Sequence, residues 1–194
     1  MITIIPDPNF DRGNIQLAVF TDADWAADPL HRRSMSGYFI FMNHNLISSA
    51  CKYHVTQCMS SIDAEYMGAT FASMEMLFIH HLIEEFEETF KIALPIPIFG
   101  DNTAALNFAE EQSINTKTKH IDLRHHFLKP LIEKGITSMN YVCTKENLAD
   151  ILTKPLSIPD FQKFSEYITT SSRTAIISLF IKLHKLNILR HKKL

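Results

Sequence analysis

Nowhere in the 194 residues does an apolar run reach the roughly 18 residues that a membrane span needs, so no stable membrane association is expected. The first residues, Met1 to Pro6, have no basic region and no long apolar stretch; no secretory signal is expected, and the chain reads as intracellular, cytoplasmic or nuclear. Cysteine is scarce. Cys51, Cys58 and Cys143 are an odd count without paired spacing, which argues against a disulfide framework or a zinc–thiolate site and fits a reducing compartment. No internal repeat or low-complexity linker stands out. Positive charge is not in excess either. The net charge is −2, and residues 171–194 carry six basic residues and no acid, which leaves 13 basic against 21 acidic residues in 1–170, or −8. A body this acidic does not bind nucleic acid by charge alone; a cation must screen the contact, or a neighbouring domain must supply the grip.

What is present is ordinary globular composition, 46% apolar and 21% charged, on a length that suits one domain with a proper core. Gln16–Thr21, Tyr38–Met42 and Leu46–Cys51 read as strands, with Asn43-His44-Asn45 as turn material between the last two, so the three could form a meander. Ser60 to about Phe86 reads as one long helix that Ser60 or Ser61 can cap. It carries two apolar stripes: Met67, Phe71, Met74, Phe78 and Leu82 on one side, and Ala69, Ala72, Met76, Ile79 and Ile83 on the other. A helix apolar on two faces is expected to be sandwiched. Glu65 falls on the second face, so an ionisable group is aimed at buried surface.

Further on, Pro95–Gly100 reads as a strand and Asn102–Glu111 as a short helix. Lys117–Lys134 reads as a helix that Pro130 interrupts and Gly135 ends. Ile136–Cys143 is a last strand, and Glu146–Thr153 a short helix. Strands separated by helices pair in parallel and hairpins form an antiparallel edge. The expected architecture is α/β, a mixed five-stranded sheet with helices on both faces.

Four acids fall at strand and helix ends. Asp22 ends the first strand, Glu65 lies on the inner face of the long helix, Asp101 ends the fourth strand, and Asp150 sits in the short helix after the fifth. If the first and fourth strands are parallel neighbours, Asp22 and Asp101 meet at the crevice where open α/β sheets place ligands. Gathered acids repel unless a cation joins them. Hard oxygen ligands, with no thiolate and no paired-histidine spacing, point to Mg²⁺, with Mn²⁺ as the other choice. Two such ions about 3.5–4 Å apart can flank a phosphodiester.

Six motifs then occur in order: Thr21-Asp-Ala-Asp-Trp25, Arg32-Arg-Ser-Met-Ser-Gly-Tyr38, Asp63-Ala-Glu-Tyr-Met67, Asp101-Asn-Thr-Ala-Ala105, Thr116-Lys-Thr-Lys-His-Ile-Asp-Leu-Arg124 and Glu146-Asn-Leu-Ala-Asp-Ile-Leu-Thr-Lys-Pro-Leu156. Together they closely resemble the ribonuclease H domain of copia-type LTR-retrotransposon Pol polyproteins, over about residues 15–157. The resemblance implies the ribonuclease H fold. It also implies that Asp22, Glu65, Asp101 and Asp150 are the family's four catalytic acids and its ligands for two Mg²⁺ ions. The implied reaction is hydrolysis of the RNA strand of an RNA–DNA hybrid during reverse transcription, leaving a 3′-hydroxyl and a 5′-phosphate. The implied partners are the hybrid and a neighbouring reverse transcriptase domain of the parent polyprotein.

The sequence departs from the family's pattern at Ser48–Val55, where a Lys-Lys-Gln-Pro run is usual, and at Ile62-Asp63. Residues 158–194 form an unfamiliar ending, a basic amphipathic extension, and residues 1–14 an N-terminal remnant. Two other readings stay open: an inactive remnant that keeps the fold and at most binds nucleic acid, and an integrase-like strand-transfer enzyme, against which the Asn147–Leu156 segment speaks. Ser61 and Asn102, next to the acids, are candidate donors to sugar or phosphate, or else helix caps. Trp25 could stack on a base or simply pack. Arg32 and Arg33 could contact phosphate or stay solvated. His120, His125 and His126 are assigned no catalytic role.

Overall fold

A computed structural model describes residues 14–86, 90–110, 127–168, 179 and 182, with only the backbone of Phe86. The Thr116–Arg124 motif, His125 and His126 lie outside the described residues, as do 1–13 and all of 171–194 except Leu179 and Lys182.

β1 (Asn14–Ile15) leads into β2 (Leu17–Asp24), β3 (Met35–Met42) and β4 (Asn45–Tyr53), followed by helix α1 (Ser61–Phe86). After it come β5 (Lys91–Ile92), β6 (Ile96–Gly100), α2 (Thr103–Glu110), α3 (Leu128–Glu133), β7 (Thr137–Tyr141), α4 (Asp150–Thr153) and α5 (Ile158–Ile168). The main sheet runs β4-β3-β2-β6-β7; β2–β3 and β3–β4 are antiparallel, β2–β6 and β6–β7 parallel. This is the mixed five-stranded sheet the element order implied, with β1 and β5 as a separate parallel pair. The expected meander is β2-β3-β4. Its second hairpin turns on Asn43 and His44, both at positive φ (47° and 68°), as a two-residue loop with the primed-turn twist requires.

β2 is buried from Leu17 to Ala23 because it is the central strand, covered on both faces. Alternation along it divides the core in two. Leu17 and Val19 join Ala69, Ala72 and Met76 of α1, with Ile98, Leu106 and Leu128. Ala18 and Phe20 join Phe39, Phe41, Phe99, Leu148, Phe164 and Leu179 on the opposite face. Phe20 stacks on Phe99 at 5.0 Å and meets the edge of Phe41 at 5.8 Å. Phe164 and Leu179, both within 158–194, thus belong to the core beneath the sheet.

Several boundaries differ from expectation. β2 continues to Asp24, so Asp22 lies inside the strand rather than at its end. Ser60 caps α1: its Oγ accepts the Asp63 N–H at 3.1 Å, and Asp63 Oδ2 accepts the Met59 N–H at 2.8 Å. Among the described residues α1 is packed on one face and not sandwiched. Ala69, Ala72 and Met76 are buried, whereas Met74, Phe78 and Leu82 are 52%, 61% and 40% exposed, because α1 lies on the outside of its layer. Pro130 does not interrupt α3. It is the third residue of the helix, in the first turn, where backbone N–H groups have no intrahelical acceptor to lose. Gly135 ends the helix at φ 67°, with its N–H on Ile132 O and the Ile136 N–H on Leu131 O, a Schellman closure. The expected helix over Glu146–Thr153 divides into a 3₁₀ turn at Thr144–Glu146 and α4. Asn147 stands between them, where its side chain bonds to the Thr21 carbonyl at 3.0 Å instead of continuing the helix.

α4 rests directly on the sheet, and Gly37 permits this. A Cβ at Gly37 would stand 2.5 Å from Leu152 Cβ and 3.3 Å from Thr153 Cγ2. Gly37→Ala is therefore expected to lift α4 and cost about 1–3 kcal/mol, the usual range for overpacking. Urea unfolding measures it, and an unchanged midpoint would contradict this close approach.

Candidate metal centre

The register sets two acids level. Phe20 pairs with Phe99 in the parallel β2–β6 ladder, so two residues further on Asp22 stands beside Asp101. Asp150, the first residue of α4, comes from below the sheet. Carboxylate oxygens of Asp22, Asp101 and Asp150 lie within 4.8 Å of one another. Glu65 enters from α1 on the other layer. It is not within that 4.8 Å group, but its carboxyl feels the charges of Asp22, Asp101 and Asp150. The structure thus brings three of the four expected acids together and sets the fourth against them.

Each carboxylate is held. Asp22 is fully buried and accepts a short hydrogen bond from Thr153 Oγ1. Asp101 accepts one from Thr144 Oγ1 at 2.7 Å. The Lys154 ammonium sits 3.0 Å from Asp22 Oδ1 and 3.5 Å from Asp150 Oδ1. Burial, then the charge of Asp22, pushes the Asp150 carboxyl up to about 7, with Lys154 opposing. Burial, then Asp22 and Asp101, pushes Glu65 up to about 9. Burial works against the charge on Lys154, but Asp22 and then Asp150 outweigh it and hold its pKa above the usual lysine range. One ammonium does not neutralise four acids. A site built of carboxylate oxygens, with two of its acids driven toward the protonated form, fits hard divalent cations.

Thr144, Asn147, Thr153 and Lys154 complete the site; the last three lie in the Glu146–Leu156 motif, which by itself gives them no role. Lys154 had a legible signal, since it lies one helical turn after Asp150. Of the two candidate donors, Ser61 is exposed at the first residue of α1, beside the true cap Ser60. Asn102 caps α2, its Oδ1 accepting the N–H groups of Ala104 and Ala105 at 3.1 Å each. Trp25 is 44% exposed, its Nε1 donating to Cys58 O, with Arg32 5.7 Å over its ring. Arg33 reaches Asp28 at 3.3 Å and lies over Tyr53.

This architecture is the ribonuclease H fold. The chain is similar to the N-terminal RNase H domain of rv2228c from Mycobacterium tuberculosis, with a TM-score of 0.52 and 9% identity over 78% of this chain and 97% of that one. It is likewise similar to LC11-RNase H1, isolated from compost, with a TM-score of 0.51 and 14% identity over 71% of this chain and 92% of that one. In sequence the chain is similar to retrovirus-related Pol polyproteins from copia-type transposons. It is 34% identical to the Pol polyprotein from transposon RE2 of Arabidopsis thaliana over 158 residues, 81% of this chain. The chain spans only 11% of that relative's length. No family model matches the chain.

The raised acids fix a pH dependence for the cation-free protein. Glutamate ordinarily ionises near 4.5, and Glu65 only near 9, so the stability gained by keeping Glu65 protonated is complete below 4.5 and lost as pH climbs through about 9. Asp150 adds the same trend as pH passes about 7. With chelator present, the thermal midpoint should fall as pH rises through this window, and Glu65→Gln should flatten the upper part. A midpoint that rises with pH, or a slope unchanged by Glu65→Gln, would contradict the repulsion described.

Proposed function

We propose that this domain hydrolyses the RNA strand of RNA–DNA hybrids with two divalent ions, as a step of reverse transcription. The observation that carries the reading is the convergence of Asp22, Asp101 and Asp150 within 4.8 Å, with Glu65 facing them, on a ribonuclease H fold. By analogy with the ribonuclease H domains the sequence resembles, Asp22 would serve both ions; Thr153 fixes its carboxylate. Asp150 would hold the water-activating ion with it, and Glu65 and Asp101 the other. Mg²⁺ is the expected ion and Mn²⁺ the substitute. Such ions, when bound, lower the pKa of water and neutralise charge developing on the phosphate.

The chain's own residues do the positioning. Thr144 keeps the Asp101 carboxylate turned inward, and Asn147 ties the α4 loop to the strand that carries Asp22. Ser61 and the amide nitrogen of Asn102 would meet sugar or phosphate groups beside the acids. In the parent polyprotein a neighbouring reverse transcriptase domain would hold the hybrid. This reading is supported by the relatives' length, of which the present chain matches 11%.

The test is cleavage of a labelled RNA–DNA hybrid with Mg²⁺ and with Mn²⁺, comparing the parent chain with Asp101→Asn. Removing one ligand should cost several kcal/mol of transition-state stabilisation, a fall of about 10³-fold in rate. A folded parent that cleaves with neither ion would overturn the enzyme reading in favour of the inactive remnant. Equal activity in parent and variant would overturn the assigned site.

A further inference from the structure

We propose that His80, His81 and Glu84, on the last turns of α1, form a second metal site that takes a zinc-class ion. Their ligand atoms lie within 4.8 Å of one another. His80 and Glu84 are four residues apart and His81 and Glu84 three, so all three project over one stretch of helix surface. The His80 and His81 rings stand nearly perpendicular, 5.7 Å between centroids.

The second observation is His80 itself. Its side chain is only 9% exposed, and its buried Nδ1 makes no hydrogen bond. Glu84 Oε2 lies 3.3 Å from that nitrogen, within ion-pair reach but out of hydrogen-bond alignment with it. A buried, unsatisfied ring nitrogen is costly, and a metal ion between it and the carboxylate removes the cost. Two imidazole nitrogens and one carboxylate oxygen suit Zn²⁺, whereas Mg²⁺ favours oxygen alone. His81 and Glu84 are exposed, which leaves a fourth coordination position open to water.

This site does not belong to the acid cluster. His80 lies fifteen residues after Glu65 on the same helix, about 22 Å at helical rise. Its failure is therefore separable from failure of the nuclease reading.

The experiment is a calorimetric Zn²⁺ titration of the full chain in millimolar Mg²⁺, which keeps the acid cluster supplied with its own ion. The parent should bind Zn²⁺, and His81→Ala and Glu84→Gln should each weaken binding by at least about tenfold. Both positions are exposed, so the helix should survive, as circular dichroism can verify. Asp101→Asn should bind Zn²⁺ like the parent. Co²⁺ in place of Zn²⁺ should give the intense visible bands of a tetrahedral site in the parent and lose them in His81→Ala. No Zn²⁺ binding by the parent would overturn the proposal. So would affinity unchanged in the His81→Ala/Glu84→Gln double variant, which would put the ion on other histidines.

Discussion

Like charges forced together at the end of a sheet are the constraint on which the rest of the structure turns. Asp22, Asp101 and Asp150 come from three elements far apart in sequence, and each would be more stable in water away from the others. Their carboxylates stay together because the backbone sets their positions and Thr144, Thr153 and Lys154 hold them there. The β2–β6 register sets Asp22 beside Asp101, and the hydrophobic layer of Phe20, Phe39, Phe41 and Phe99 fixes that register from below. Each large apolar side chain fully buried there contributes roughly 1.5–3 kcal/mol, and together they outweigh the repulsion at the rim.

α4 is the element most exposed to that repulsion, being four residues long and carrying Asp150. Helices so short have no stability of their own. Its position is imposed from outside. Asn147 bonds to Thr21 O, Cys51 donates to Leu152 O at 2.9 Å, and Gly37 offers a flat strand surface where any side chain would collide. Leu148 and Ala149, both fully buried, anchor the approach. The backbone of this polar site is thus held by contacts that are mostly apolar or backbone-directed, while Thr144, Thr153 and Lys154 fix its carboxylates.

Much of this was legible from sequence because period and punctuation are local. Ser60 and the 26 residues of α1 carry a cap and a 3.6-residue pattern of their own, and the Asn43-His44 turn sets the first β3–β4 pairs, up to the shift between Ile40 and Phe41. The acids' meeting was legible too, given parallel pairing of β2 with β6. What escaped the sequence depends on distant partners. Nothing local tells that Met74, Phe78 and Leu82 face outward, since their spacing equals that of a core stripe. Nothing before Thr153 indicates that its hydroxyl will meet Asp22, 131 residues away in sequence. Pro130 obeys the same limit: a proline's effect depends on its place in the turn, here the first turn of α3, and local sequence does not give that place.

Lys154 unites the electrostatics of the domain. Residues 1–170 are acidic by −8, and the described acid cluster holds a single ammonium close against Asp22 and Asp150. That ammonium neutralises the deepest acid and leaves Glu65 and Asp101 without an equivalent partner of their own. The Glu65 carboxyl responds by holding its proton up to about 9. A polyanionic strand approaching this surface would meet repulsion unless more positive charge arrived first, and the donor set at the sheet's end suits hard cations. The same ions that the proposed chemistry requires would therefore also make the surface approachable to its substrate. On the proposed reading, binding and catalysis would then be linked through one electrostatic deficit at the acid cluster.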